Sequence, residues 1–221
     1  MLPLTNTDVA ILVGGMGTRL RGVVDDVPKP LAPVLGRPFL FYQLDMLALR
    51  GARSVTLCCG YKADLVREMT GTSWLGMMLQ HSVETEPLGT AGALALAGPF
   101  LTSPHVVVMN GDSWLDPEWS HFLHVAGEPQ TDGCLALARV PDASRFGTVG
   151  MDDGKITSFH EKCETHDPGL INGGVYLISK KILTALPLRN HSLEREVFPA
   201  MAAGAHLAGS FTESPFLDIG V

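Results

Sequence analysis

The stretch VAILVGGMGTRL, residues 9–20, decides the fold, because an apolar run of five residues leads directly into a glycine-rich turn. The apolar run predicts a buried strand. The turn has three glycines within four positions, which lets backbone amides approach an anion, and an arginine follows it. We therefore predict a phosphate site formed by Gly14, Gly15, Gly17, Thr18 and Arg19.

Two better-known glycine loops do not match this segment. The Gly-x4-Gly-Lys-Ser/Thr pattern of a P-loop NTPase is missing from it. A dinucleotide fingerprint would have glycine or alanine three positions after Gly17, where Leu20 stands, and no strand-end acidic residue follows at the expected distance. A dehydrogenase is therefore only a weak alternative.

The composition excludes several classes of protein. With 46% hydrophobic and 7% aromatic residues, a chain of 221 residues can bury a full core. The net charge of -7 disfavours broad attraction to nucleic acid. The sequence has no secretory signal pattern, its longest apolar runs are too short to span a membrane, and its four cysteines lack Cys-x-x-Cys spacing. We expect a cytoplasmic protein with no membrane partner.

Strand-like and helix-like runs alternate as far as Asp112. This alternation predicts an α/β fold whose mostly parallel sheet carries helices on both faces. Beyond Asp112, short strands joined by turns predict a mixed extension of that sheet. We predict a single domain over residues 1–221, with one lobe over about 1–112 and a second over about 113–221. Because the sequence stops just after a strand-like run, we expect the native chain to continue past Val221.

Three charged residues stand at positions suited to phosphate and metal chemistry. Prolines on both sides of Lys29 stiffen the backbone and would aim its amine at one place. Asp112 and Asp218 each end an apolar run, and in this fold class ligands bind at the carboxyl ends of strands. Because Mg²⁺ prefers one or two carboxylates together with phosphates and waters, we predict a metal site on these two aspartates.

The segment ETEPLGTAG, residues 84–92, is a candidate base-binding segment. Its glycines permit close approach of a flat base, and Gly89 and Thr90 are candidate nucleotide contacts. A carboxylate such as Glu84 or Glu86 could accept hydrogen bonds from two adjacent donors. Guanine offers such a pair at N1 and its 2-amino group, whereas thymine and uracil offer one ring N–H. The segment thus weakly favours guanine, and a solvated loop glutamate is an equally good interpretation.

Taken in order, these motifs resemble those of the sugar-1-phosphate nucleotidyltransferases, also called NDP-sugar pyrophosphorylases. The resemblance runs from the first strand to the last residue. It is carried by GGMGTRL (14–20), PKP (28–30), EPLGTAG (86–92), NGD (110–112), EK (161–162), NGGVY (172–176) and FLDIG (216–220). The family usually has alanine at the position of Val13, a mild departure. The resemblance implies a Rossmann-like three-layer α/β/α nucleotidyltransferase fold with a mostly parallel mixed central sheet.

Within this family the chain is most similar to the branch that uses D-glycero-D-manno-heptose 1-phosphate and GTP. Branches that make GDP-mannose or dTDP-glucose are near relatives and stay open as alternatives. The resemblance implies transfer of a nucleotidyl group with Mg²⁺ as cofactor and release of pyrophosphate. Arg19, Lys29 and Asp112 would be catalytic. The implied sugar-phosphate contacts are Gly147, Glu161, Lys162, Asn172 and Gly174.

A different class of function also fits part of the pattern, namely a catalytically silent regulatory protein that binds nucleotide sugars. Loss of Arg19, Lys29, Asp112 or Asp218 would have favoured it, and all four are present. The oligomeric state stays open, and a homo-oligomer is compatible with the sequence, because apolar helix faces and interfaces look alike.

Overall fold

The computed structural model describes residues 3–15, 27–128, 130–160 and 166–219. Its helices are α1 (Phe39–Leu49), α2 (Ala63–Thr70), α3 (Gly89–Ala97), α4 (Trp119–Ala126), α5 (Lys180–Ala185) and α6 (Phe198–Ala203). Its strands are β1 (Asp8–Leu12), β2 (Pro33–Val34), β3 (Arg37–Pro38), β4 (Ser54–Cys59), β5 (Ser73–Trp74), β6 (Met77–Val83), β7 (His105–Asn110), β8 (Ser113–Trp114), β9 (Gly133–Val140), β10 (Thr148–Asp152), β11 (Lys155–His160), β12 (Gly169–Ser179), β13 (Leu207–Thr212) and β14 (Leu217–Asp218). The 3-10 helices Lys29–Leu31 and Gly98–Phe100 and the π-helical turn Leu193–Val197 complete the set.

A ten-stranded sheet organises the molecule, in the order β10-β11-β13-β9-β12-β7-β1-β4-β6-β5. Strands β7, β1, β4 and β6 are parallel neighbours. Strand β12 pairs antiparallel with both β7 and β9, and β9 pairs parallel with β13. The carboxyl ends of the four parallel strands therefore meet at one edge, while the second half of the chain extends the sheet with mostly antiparallel pairs.

Alternating side chains of the central strands supply two cores, one on each face of the sheet. Val9 and Ile11 of β1 belong to one core, and Ala10 to the other. Helices α1, α2 and α4 contribute buried residues to the first core, and α3, α5 and α6 to the second. The predicted α/β fold with helices on both faces is thus confirmed.

The apolar pattern of residues 116–126 predicts a helix that begins at Asp116, but α4 begins at Trp119, three residues later. The Glu118 side chain accepts a hydrogen bond from the His121 amide at 2.6 Å and so caps the helix. Asp116, the expected start, instead accepts hydrogen bonds from Arg50 and from the Trp119 indole. The contacts of Asp116 with Arg50 and Trp119 therefore keep it out of the helix, and α4 starts later.

Two tight hairpin turns were not anticipated from the sequence. Leu35-Gly36 joins β2 to β3, and Leu75-Gly76 joins β5 to β6. All four residues have positive φ, which is the backbone that a two-residue hairpin needs but which leucine seldom adopts. Both leucines are largely exposed, at 96% and 73%.

Among the described residues, no helix is long and apolar enough to cross a membrane.

We expect Leu57→Ala to lower the free energy of unfolding by about 2–5 kcal/mol, because Leu57 is fully buried in the first core and the change leaves a cavity. Urea unfolding followed by circular dichroism measures this loss. Leu75→Ala is the matched control, since Leu75 is 73% exposed and its loss should stay within about 0.5 kcal/mol. Equal losses in the two variants would contradict the core assignment.

Candidate active site

A cavity of about 560 Å³ opens at the carboxyl ends of the parallel strands. Leu12, Cys58 and Asn110, from β1, β4 and β7, form part of its wall, and Glu84 follows the end of β6. Ligands of open α/β sheets bind at this edge. The predicted residues that line the cavity are Gly14, Gly15, Lys29, Glu84, Gly89, Thr90 and Asp112. Gly17, Thr18, Arg19, Glu161 and Lys162 lie outside the described residues.

An ion pair between Lys29 and Asp112 forms part of the cavity lining. The Lys29 amine donates to Asp112 Oδ2, although the residues are 83 positions apart in sequence. Pro28 precedes the short helix that carries Lys29 and fixes the entry of the chain. The Lys29 side chain is only 12% exposed and that of Asp112 33%. The amine is thus held in the cavity, as the flanking prolines predicted.

The turn that carries Asp112 is held from two sides by backbone hydrogen bonds. The Gly111 amide donates to Leu12 O at 3.0 Å, and a Cβ at position 111 would lie 2.6 Å from that oxygen, so only glycine fits. On the other side the Ile219 amide donates to Asp112 O at 3.0 Å, and Asp218 pairs with Ser113. The backbone therefore brings the short strand that carries Asp218 against the turn that carries Asp112.

The predicted magnesium site rests on the carboxylates of Asp112 and Asp218. The described residues contain no group of three or more His, Cys, Asp or Glu side chains arranged for a metal. Mg²⁺ does not need such a group, since it usually takes one or two carboxylates and completes its shell with substrate phosphates and waters. Asp112 and Asp218 could hold it, with Lys29 beside them as a second positive charge.

Glu84 forms a wall of the cavity opposite two glycines. Its Oε2 accepts a hydrogen bond from the Leu88 amide at 3.1 Å. A Cβ at Gly60 would lie 2.4 Å from Glu84 Oε1, and one at Gly14 would lie 3.1 Å from it. Burial raises the pKa of the Glu84 carboxyl above its ordinary value of 4.5. The glycines thus leave room for a half-buried carboxyl that faces the cavity.

Gly89 and Thr90 join the start of α3 to the distant segment 191–194. Gly89 has φ +68°, and a Cβ there would lie 2.5 Å from His191 O, so another residue would be both strained and obstructed. Thr90 Oγ1 donates to Glu194 Oε2 at 2.8 Å and accepts from the Leu193 amide at 2.8 Å. Glu194 also lines the cavity.

The buried Tyr176 hydroxyl connects the two halves of the site. It accepts hydrogen bonds from Asn110 Nδ2 at 3.1 Å and Asn172 Nδ2 at 3.2 Å, and donates to Glu194 Oε1 at 3.4 Å. Burial raises the pKa of Tyr176 well above its ordinary value, so its proton stays available to Glu194. Asn172 Oδ1 in turn accepts from the Gly174 amide at 2.9 Å, which fixes an irregular stretch of β12.

Of the predicted sugar-phosphate residues, the three that the structure describes, Gly147, Asn172 and Gly174, lie on the second half of the sheet beside this network. Thr148 pairs with Ile171 in the antiparallel contact of β10 with β12. Gly147, just before Thr148, and Asn172, just after Ile171, are therefore neighbours across the two segments. A Cβ at Gly147 would lie 3.0 Å from His160 O, and one at Gly174 would lie 3.2 Å from Asn110 Nδ2. Gly147 thus lies beside the end of β11, and Gly174 lies against the end of β7.

Sequence reasoning missed Gly60, Tyr176 and Glu194 as members of the site. Gly60 follows the apolar strand β4, and the same strand-then-glycine signal that marked Gly14 could have identified it. Glu194 follows Ser192, which caps the π-helical turn Leu193–Val197, since its Oγ accepts from the Arg195 amide at 3.2 Å. Nothing in the sequence around Glu194 shows that it would reach Thr90.

The cavity at the carboxyl edge of the parallel strands is thus lined by the Lys29–Asp112 ion pair and by Gly14 and Gly15. The family described as "Nucleotidyl transferase" matches residues 9–221. The chain belongs to this family and is a nucleotidyltransferase. Nucleotidyltransferases generally use a divalent metal ion.

Curated relatives of known name match nearly the whole chain. D-glycero-alpha-D-manno-heptose 1-phosphate guanylyltransferase of Campylobacter jejuni is 33% identical, over 96% of this chain and 93% of that protein. The protein of the same name from Aneurinibacillus thermoaerophilus is 35% identical, over 97% and 93%. A mannose-1-phosphate guanylyltransferase catalytic subunit beta from Danio rerio is 37% identical, but the match covers 60% of its length.

A solved structure shares both fold and sequence with the chain. HddC from Yersinia pseudotuberculosis, crystallised in complex with GMP-PN, has a TM-score of 0.86 and 31% identity over 97% of this chain and 94% of its own.

We expect Tyr176→Phe to lower the free energy of unfolding by about 1–3 kcal/mol, because it removes a fully buried hydroxyl that accepts from the half-buried amides of Asn110 and Asn172 and donates to Glu194. Urea unfolding measures the loss. Tyr42→Phe is the matched control, since the half-buried Tyr42 hydroxyl donates one hydrogen bond, to Val34 O at 2.9 Å. A loss in Tyr176→Phe no larger than in the control would contradict the role of this hydroxyl as a junction.

Proposed function

We propose that the protein transfers a guanylyl group from GTP to D-glycero-D-manno-heptose 1-phosphate, giving GDP-heptose and pyrophosphate for surface polysaccharide synthesis. The reaction class follows from the family. The substrates are supported by the names of two relatives that match over 93% of their own length. The observation that carries the proposal is the Lys29–Asp112 pair in a cavity whose wall contains the half-buried Glu84.

The first half of the chain, over about 1–112, would bind GTP. Amides of Gly14 and Gly15, with Gly17, Thr18 and Arg19 of the same turn, would hold the β- and γ-phosphates. Gly89 and Thr90 would contact the nucleoside from the other side of the cavity. This places the α-phosphate near the Lys29 amine, which is fixed in the cavity lining.

The chemical step is an in-line displacement at the α-phosphorus. An oxygen of the sugar 1-phosphate attacks, the bond to the oxygen bridging the α- and β-phosphates breaks, and pyrophosphate leaves with that oxygen. The enzyme forms no covalent intermediate. Lys29 would stabilise the negative charge that develops around the α-phosphate, and the rest of the site would hold the reactants in line.

Asp112 and Asp218 would hold Mg²⁺, which when bound supplies positive charge to the phosphate oxygens. Asp112 would hold the metal through its carboxylate, beside the Lys29 amine that donates to Oδ2. The backbone pairing of Asp218 with Ser113, the residue after Asp112, supports Asp218 as the second ligand.

Glu84 would select guanine. As a carboxylate it accepts hydrogen bonds, and guanine presents two adjacent donors. Its Oε2 is already bonded to the Leu88 amide, which fixes the carboxyl in the wall. Glu86 also lines the cavity but is exposed, so it is less restricted in position.

The second half of the chain, over about 113–221, would bind the sugar 1-phosphate. Lys162 would contact its phosphate, and Glu161, Asn172 and the backbone at Gly147 and Gly174 would contact the sugar hydroxyls. Support comes from the neighbouring positions of Gly147 and Asn172 and from the hydrogen bond between Asn172 and the Tyr176 hydroxyl, which Asn110 shares.

We expect pyrophosphate release to require both substrates and to be fastest with GTP and the heptose 1-phosphate. Purified protein is assayed with GTP and dTTP, each combined with heptose, mannose and glucose 1-phosphates in the presence of Mg²⁺. A preference for mannose 1-phosphate with GTP would contradict the heptose assignment and favour mannose 1-phosphate, the sugar phosphate named for the Danio rerio relative. Preference for dTTP would refute the guanine assignment.

Asp112→Ala should reduce this rate by at least about 100-fold, because it removes a proposed metal ligand and the partner of Lys29. Asp64→Asn serves as the control, since its carboxylate is fully exposed and pairs weakly with Arg67 at 3.7 Å. An active Asp112→Ala enzyme would remove this residue from the mechanism.

The pH dependence of GTP binding tests the role of Glu84. Its raised pKa means that the carboxyl gains a proton at a higher pH than an ordinary glutamate, and protonation removes an acceptor for guanine. We therefore expect GTP affinity to fall as the pH is lowered, beginning above 4.5. Titration calorimetry at several pH values measures this, and the fall in affinity should be smaller in Glu84→Gln.

The control for this experiment is Glu86→Gln, which changes the other candidate carboxylate of the segment. Inosine triphosphate, which lacks the 2-amino group, adds a second comparison. Wild type should prefer GTP to it by about 10-fold, the strength of one hydrogen bond to a charged group, and Glu84→Gln should reduce that preference. Loss of preference in Glu86→Gln alone would assign the base to Glu86.

A further inference from the structure

Gln43 is a polar residue at a core position of α1. It lies one helical turn from Phe39 and from Leu47, both buried on the same face, and is itself 0% exposed. The spacing of buried residues along α1 predicts an apolar residue at this position. Its amide therefore has to be explained by its neighbours.

The Gln43 amide group holds both ends of the turn that carries Asp112. Nε2 donates one hydrogen bond to Asn110 O at 2.8 Å and another to Ser113 O at 2.9 Å. These carbonyls flank Gly111 and Asp112. Both hydrogens of the amide are used, and the opposite orientation of the amide would set its oxygen against two carbonyl oxygens.

The other end of this amide is left without a partner. Gln43 Oε1 is buried, and among the residues that the structure describes nothing donates to it. A buried acceptor without a donor is costly. Position 43 therefore carries an amide whose oxygen is buried without a donor. A methionine of similar length would avoid this loss of a hydrogen bond.

We infer that Gln43 is a positioning residue that sets the direction of the Asp112 carboxylate toward the metal. This rests on the proposed role of Asp112 as a metal ligand. The Gly111 amide and the Asp112 carbonyl are held by Leu12 and Ile219. Gln43 holds the carbonyls of Asn110 and Ser113 from the core side. Without it the turn loses both of these hydrogen bonds on that side, and the Asp112 carboxylate, which Lys29 contacts from the cavity, shifts with the turn.

Groups that orient a metal ligand without touching the metal change affinity by about 10- to 100-fold when they are removed. We therefore expect Gln43→Met to weaken Mn²⁺ binding by at least about tenfold, measured by electron paramagnetic resonance with Mn²⁺ and GTP in the absence of sugar phosphate. The Mg²⁺ concentration for half-maximal pyrophosphate release should rise by a similar factor. Affinity for GTP without metal should be unchanged.

Thr70→Val is the matched control. Thr70 is also buried and hydrogen-bonded, to Val66 O at 2.8 Å and to His81, but it lies at the end of α2 and does not line the cavity. We expect Thr70→Val to lower the free energy of unfolding, as Gln43→Met should, and to keep the wild-type Mn²⁺ affinity. If Gln43→Met fails to fold, Gln43→Asn decides the matter, because it keeps the amide and is too short to reach both carbonyls.

Three results would overturn the inference. One is a destabilised Gln43 variant with wild-type Mn²⁺ affinity, which would make the residue a support of the fold alone. A second is an equal loss of Mn²⁺ affinity in Thr70→Val. The third is wild-type protein that does not bind Mn²⁺. Since Mn²⁺ binding needs no turnover, failure to release pyrophosphate would count against the proposed function separately.

Discussion

The site depends on the parallel pairing of β1 with both β4 and β7. This register places Leu12 beside Cys58 and Asn110, so three chain segments turn at the same level. A one-residue slip of any strand would reverse its buried and outward faces. Two separate cores oppose such a slip, because each uses alternate residues of the same strands. Packing on both faces of the sheet therefore fixes the positions of the strand ends that line the cavity.

The second half of the chain returns to this edge through antiparallel strands, and polar contacts make the join. Tyr176 and Glu194 lie between the end of β7 and the start of α3, where they bond to Asn110 and Thr90. A buried hydroxyl with two donors and one acceptor around it has its full hydrogen-bonding capacity used. Such a junction restricts geometry more than an apolar contact would, which suits a boundary between two substrates.

The sequence predicted the parts of the site that local chemistry determines. An apolar run that ends in glycine or aspartate marks a strand end, so Gly14 and Asp112 were found, and prolines identified Lys29. Other parts depend on partners distant in sequence and leave no local signal. Glu194 bonds to Thr90 across 104 positions, and Gln43 resembles any polar interruption of an apolar helix face. The alternation of strands and helices was predicted because burial sets the spacing of apolar residues in each. The two Leu-Gly hairpins were missed because leucine seldom adopts the positive φ that it has in both turns.

The pairing of β14 with β8 has a consequence for the order in which the molecule matures. The first glycines of the cavity leave the ribosome about 200 residues before Asp218, the residue that would complete the carboxylate pair. At synthesis rates of about 5–20 residues per second, this interval lasts about 10–40 s. During that time the parallel strands can already associate, but the turn at Asp112 lacks the Ile219 amide. The part of the cavity that the first half of the chain lines can therefore form before the turn at Asp112 is held by Ile219, and Glu194 joins the lining only about 24 residues before Asp218 is made.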